Sequence, residues 1–172
     1  MKACVIQPPY SKNTAFSDEY FDFKIKAYGN YYNWYSATAG RGTFSINEAE
    51  VVTGDICPAG WHLPYGGNNT NEKGGNTSGG FYYLTRLMGN GSSTSYQSFD
   101  DAKHWRSFPN NIVLSGYIVN SGTWIRGDEG DYWSTTAMYN GGAYMMGVSS
   151  GGMSPDNWYE ETRGFAVRCV AY

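Results

Sequence analysis

From Ile112 to the C-terminus the sequence falls into short runs of β-favouring residues cut by glycines: Ile112–Val119, Thr123–Ile125, Tyr132–Thr136, Ala143–Val148 and Phe165–Val170. Each run has the length and residue types of a short strand, and each glycine break supplies a turn. Helical patterns are confined to the middle of the chain. In Phe81–Met88, the spacing of Leu84, Leu87 and Met88 predicts a short helix ended near Gly89. In Ser98–Trp105, Ser98 is placed as a cap, with Asp100 and Asp101 in the first turn, where the helix dipole favours anions. Strands clustered in this way predict an α+β fold and argue against a parallel βαβ sheet. Phe165–Val170 alternates for only part of its length and is expected to be an interior strand buried on both faces.

A chain of 172 residues is long enough for one domain with a real core and short for two. Its 16 Tyr, 6 Trp and 8 Phe, set against 23 Gly and only 16% charged residues, favour an irregular, loop-rich domain. Net charge is −3, without a basic stripe, so the electrostatic footprint of a nucleic-acid binder is missing. No apolar stretch approaches the roughly 20 residues that span a bilayer, and the N-terminus carries no basic region followed by an apolar one. The expectation is a chain that does not insert into membranes, with any export signal removed or carried elsewhere.

Residues 1–28 read as an N-terminal extension to a domain spanning 29–172. The extension holds a strand, Ala3–Ile6, stopped by Pro8 and Pro9, and then Ser17–Lys26, which fits either a short helix or a strand. Residues 66–80 are nearly all small and polar, a surface loop by composition. The three cysteines, Cys4, Cys57 and Cys169, have no zinc spacing. In an oxidising compartment Cys57 and Cys169 can pair, leaving Cys4 over; in a reducing one all three are small buried hydrophobes. His62 and His104 sit in no nucleophile or metal pattern. Asp128, Glu129 and Asp131, between Gly127 and Gly130, have oxygen ligands for calcium but no recognised spacing, and read better as a solvated turn. No catalytic residue, metal or cofactor is expected.

Four segments, YNWYSAT (Tyr32–Thr38), ICPAGWHLP (Ile56–Pro64), YWSTT (Tyr132–Thr136) and GFAVRCV (Gly164–Val170), together resemble the Fibrobacter succinogenes major paralogous domain family. The resemblance covers about 140 residues with the motifs in the family's order. It implies a C-type-lectin-like fold of short antiparallel strands, two short helices and long irregular loops. It also implies a likeness to variable proteins of diversity-generating retroelements, in which the C-terminal segment is diversified. On that likeness YWSTT and GFAVRCV are frame, and Met138, Tyr139, Met145, Trp158, Tyr159 and Glu160 stand where asparagine is usual in the family. The implied protein is a ligand-binding module, adhesin or receptor-like, at a cell surface, secreted or phage-associated. The alternatives are an enzyme of the formylglycine-generating class, which needs a reactive cysteine pair, or a structural module of a larger surface protein.

Within the last third, alternation places Tyr144, Met146 and Val148 in the core and Met145 and Gly147 on the opposite, exposed face. Ser154–Glu161 has a turn signature without apolar periodicity, so Trp158 and Tyr159 are expected on an exposed loop. Such rings make good contact residues, offering large rigid area at little rotamer cost. Trp34, Trp61, Trp105 and Trp133 are assigned to the core instead. The candidate ligand-binding set is Trp124, Arg126, Met138, Tyr139, Asn140, Gly141, Met145, Gly147, Asp156, Trp158, Tyr159, Glu160 and Arg163, with an unidentified protein or glycan as partner.

Overall fold

The computed structural model describes residues 30–42, 50–67, 80–88, 106, 111–119, 125, 127–138 and 141–171. The N-terminal extension, the Ser98–Trp105 helix and the start of the Thr123–Ile125 strand lie outside them. What is described is a small α+β fold with mostly antiparallel strands and two short helices. In chain order the elements are α1 (Trp34–Ala37), β1 (Glu50–Val51), β2 (Trp61–His62), α2 (Phe81–Met88), β3 (Glu129–Met138), β4 (Gly142–Ser149), β5 (Met153–Glu160) and β6 (Val170–Ala171). Among the described residues no helix is long and apolar enough to cross a membrane.

Strands β1, β3, β4 and β5 form one antiparallel sheet in that order, and β2 pairs with β6 in a second, two-stranded sheet. In the centre of the large sheet, successive side chains enter different cores. Tyr132, Met146 and Val148 pack with Phe81, Ile112, Leu114, Met153 and Ala166 on one face. Trp133, Ala143 and Met145 pack with Trp34, Ala37, Val52, Leu63, Ala137 and Phe165 on the other. Because strand side chains alternate, both faces of β3 and β4 are therefore covered. Burying side chains of this size contributes about 1.5–3 kcal/mol each.

The second face is closed by segments remote in sequence. Asn33 caps α1, its Oδ1 accepting from Ser36 N at 2.9 Å. The short helix presents Trp34, fully buried, whose Nε1 donates to Ser134 O at 2.9 Å. A bulge between Trp133 and Ala137 in β3 is stitched to the chain after β2: Thr135 N donates to Pro64 O at 3.0 Å and Gly66 N to Thr136 Oγ1 at 2.9 Å. Gly66 lies so close to Ser134 and Tyr144 that no Cβ fits there. Asp55 closes the Cys57–Leu63 turn, one carboxylate oxygen accepting from Cys57 N at 2.8 Å and the other from Leu63 N at 2.9 Å. A Cys57–Cys169 disulfide then ties this turn to the C-terminal end.

Four expectations are corrected. Met145 is not on an exposed face: its side chain is fully buried against Trp133 and its neighbours, because α1, Leu63 and Phe165 roof that face. The segment after Met153 is strand β5 and not a loop, since its backbone pairs with β4 in spite of its turn-forming residues. Phe165–Val170 is not a doubly buried strand. Phe165 and Ala166 make single bridges to Tyr32 and Tyr132, residues 167–170 are half-buried, and only Val170 and Ala171 join a ladder. Trp61 is 49% exposed on the two-residue strand β2 and is not a core residue. The Ile112–Val119 run stays extended but contributes only isolated bridges, at Gly116 and Ile118.

Candidate functional site

The outer strand β5 carries Asn157, Trp158, Tyr159 and Glu160, and the turn after it carries Arg163. Alternation sends Trp158 and Tyr159 to opposite faces of the sheet. Trp158 stands beside Tyr144 across the ladder, leans over Gly142 and is 49% exposed. Tyr159 is half-buried, its ring edge-on to Phe165 at 5.7 Å. Arg163 closes over it, with the guanidinium carbon 4.2 Å from the Tyr159 ring centre and 5.9 Å from that of Tyr117. Its Nε donates to Glu160 Oε2 at 2.7 Å, and this contact lowers the Glu160 pKa from its ordinary value. Because Glu160 is exposed, the pair contributes orientation more than stability.

Beneath these residues, on the Tyr159 face, lies Asp131. It pairs with Gly147 across β3 and β4, and Met145 pairs with Asn157 across β4 and β5. Asp131 is buried. Burial first, then the charge of Glu129, push its pKa up to about 8, while Arg163 pulls the other way. Tyr117 is raised as well, by burial first and then by Glu129, Tyr159 and Asp131, against Arg163. A side chain begun at Gly147 would start 3.4 Å from Asp131 Oδ1, 3.9 Å from Met145 Cε and 4.0 Å from Asn157 Nδ2. A methyl group at this position would therefore make ordinary contacts without a clash.

Glu161 fixes the end of β5. It is fully buried, its Oε2 accepts from Tyr35 OH at 2.5 Å, and its backbone oxygen accepts from Trp34 N at 3.0 Å. Among the described residues its Oε1 has no hydrogen-bond partner, and burial raises the carboxyl pKa against the opposing effect of the Tyr35 hydrogen bond.

Compared with known proteins, the chain matches no family model, no curated protein and no solved structure.

Of the residues singled out in the sequence, the structure brings Tyr159, Glu160 and Arg163 into one neighbourhood, while Gly147 lies farther along β4, opposite Ser154. Trp158 and Gly141 lie at the same end of β4 and β5, where Met138 aligns with Gly142 and Gly142 with Glu160. Asp156, half-buried, sits in the irregular stretch of β5. Met145 is removed from the surface by its burial. Trp124, Arg126, Tyr139 and Asn140 lie outside the described residues. The sequence reading missed Asp131, Asn157 and Tyr117. Extending the β3 alternation back from Trp133 would have put Asp131 on the same inward face, so the solvated-turn reading holds for the exposed Asp128 and fails for Asp131. His62 is buried, with Nδ1 2.6 Å from Leu63 O, a structural contact. Among the described residues no group of His, Cys, Asp and Glu could hold a metal ion. A cavity of about 360 Å³ beside the disulfide, reaching Asn30, Tyr32 and Arg168, contains none of the residues predicted from sequence.

Proposed function

We propose that this chain is a ligand-binding module of C-type-lectin-like fold, and that the outer strand β5 with its following turn is the contact surface. The observation that carries the reading is Trp158, a large rigid ring left half in solvent on the outer strand of the large sheet, while Trp34 and Trp133 of that sheet's core are sealed; Trp61, equally exposed, stands apart on the two-residue strand β2. An exposed aromatic of this kind is costly to leave against water and effective when a partner covers it. Because Trp158 and Tyr159 flank opposite faces of one strand, the ligand is a protein or glycan large enough to grip the strand from its edge. The four-motif resemblance to the Fibrobacter succinogenes major paralogous domain family supports a role as a diversified adhesin or receptor-like protein. Residues of the β3–β4 turn and β5 would be its variable positions, and Met145 is withdrawn from them because a buried core residue does not reach a ligand.

The test is binding of the Trp158→Ala/Tyr159→Ala variant to a partner selected on the native protein. The reading expects a loss of at least about 30-fold, the scale of a hot-spot deletion. Unchanged affinity contradicts it. The retroelement part is tested in the genome: it expects a reverse transcriptase gene beside a near-copy of the C-terminal coding segment differing at adenines, and a neighbourhood lacking both contradicts it.

A further inference from the structure

We infer that the cavity of about 360 Å³ beside the Cys57–Cys169 disulfide is a binding site for a small monocarboxylate with an apolar body, its carboxylate held by Arg168. The cavity shares no residue with β5, so it stands or falls independently of the contact surface proposed above.

The cavity is built as a cup. Tyr132 and Ala166, both buried, form its floor, half-buried Ile56, Val167 and Cys169 its walls, and Val113, 40% exposed, its rim. Hydrogen bonds hold the frame open. Tyr32 and Phe165 exchange both backbone bonds, at 2.8 and 3.0 Å, Ala166 N donates to Asp131 O at 2.9 Å, and Trp133 N donates to Ala166 O at 3.1 Å. The Tyr132 hydroxyl donates to Val113 O at 2.5 Å and accepts from Val113 N at 3.1 Å, which ties the floor to the rim. The Asp55 carboxylate and the disulfide fix the Ile56 side. A pocket formed in advance spends little ordering entropy when a ligand enters.

Size and charge then select the ligand. The volume lies at the lower end of the range for ligand pockets, about 300–1,000 Å³, and equals that of about twelve water molecules at about 30 Å³ each. That is room for one ring or a short branched chain with its head group. Arg168, half-buried, carries the only formal charge among the described residues that line the cavity. Its charge reaches the floor: burial raises the pKa of the Tyr132 phenol, and Arg168 is among the groups that oppose the rise. Asp131, next to Tyr132 in β3, lies on the opposite face of that strand, and both oxygens of Asp55 accept backbone N–H groups. A guanidinium holds several partners at once through five donors in a planar fork, which a carboxylate matches with two parallel bonds. In an apolar cup such a charge-assisted pair is stronger than at an open surface. A dianionic phosphate would bring more charge than one guanidinium answers, a cation would be repelled, and a neutral ligand would use the walls alone.

The experiment follows the amide and methyl NMR signals of the whole protein, with its disulfide intact, during titration with 3-phenylpropionate, 3-phenylpropionamide, acetate and phenyl phosphate. The expected result is saturable movement of the Val113, Ala166 and Val167 signals by 3-phenylpropionate. Its affinity should exceed at least about tenfold that of the amide, which lacks the charge, and that of acetate, which lacks the body. Phenyl phosphate should bind more weakly than the carboxylate. Arg168→Gln should erase the preference over the amide and leave the weaker binding of the amide unchanged. Arg168→Lys, which keeps the charge without the fork, should retain part of the preference.

No saturable movement at these residues, equal affinity for carboxylate and amide, or a preference that survives Arg168→Gln overturns the site. Acetate binding as tightly as 3-phenylpropionate overturns the role of the apolar walls, and tighter binding of phenyl phosphate overturns the assignment to a carboxylate. Should Arg168→Gln fail to fold, the four probes on the native protein and on Arg168→Lys decide the question.

Discussion

Strand β4 and its neighbour β5 are both eight residues long and share one ladder, yet they obey different rules. In β4 every residue from Gly142 to Met146 is buried, because β3 and β5 take its edges while two hydrophobic clusters take its faces. In β5 burial fades along the strand, and Asn157, Trp158 and Glu160 are exposed. Pro155 and the register shift opposite Met145 and Gly147 fit an outer strand, where a missing N–H and a broken ladder discourage pairing with another sheet. What separates the strands is how many of their sides are covered. Side chains on β4 therefore answer to packing, while those on β5 are free to answer to a partner.

Four changes probe that contrast. The largest effect is expected for Cys57→Ser/Cys169→Ser, which opens a cross-link between residues 112 apart in sequence and leaves the Cys57–Leu63 turn tied to the C-terminal end only by packing and the short β2–β6 ladder. Loop entropy for a closure of that length predicts a loss of about 4–5 kcal/mol in urea unfolding under oxidising conditions. Met145→Ala should cost about 2–5 kcal/mol by the same measurement, because it opens a cavity under Trp133; a loss below about 1 kcal/mol would mean that this face of β4 is not packed.

The third change concerns pH. The folded protein raises the Asp131 pKa from 3.8 to about 8, so the native state holds a proton that the unfolded chain gives up. The associated stability is fully present below about pH 4 and is lost as pH rises towards 8, by about 1.4 kcal/mol per unit at most. Asp131→Asn should remove that slope and make the variant more stable than the native protein at pH 8. Glu161, also raised by burial, adds a decline of the same sign, which Glu161→Gln should reduce. The smallest of the four is Gly147→Ala, whose new methyl group makes only ordinary contacts and should shift stability by under about 1 kcal/mol.

The same contrast explains what could be read from the sequence. The helix at Phe81–Met88 and the cores of β3 and β4 were legible, because aromatic and β-branched residues between glycines declare themselves locally. Strand β5 was not: Pro155, Asp156 and Asn157 have turn propensities, and only pairing with β4 makes them a strand. Met145 was misplaced because alternation separates two faces without saying what covers the second, and its cover comes from Trp34, Leu63 and Phe165. Asp131 was hidden for a similar reason, since an acidic run looks solvated until strand register carries its last member inward. At the site, Trp158, Tyr159, Glu160 and Arg163 could be named from residue type, while their division between two faces needed the fold.

The most direct test of the display surface on β5 compares two tryptophans by urea unfolding. Trp133, fully buried on β3, and Trp158, 49% exposed on β5, are replaced singly by alanine. A loss of about 3–5 kcal/mol for Trp133→Ala with under about 1 kcal/mol for Trp158→Ala is the predicted result. Equal large losses would contradict it, because Trp158 would then belong to the frame and β5 would have no anchor to offer a ligand.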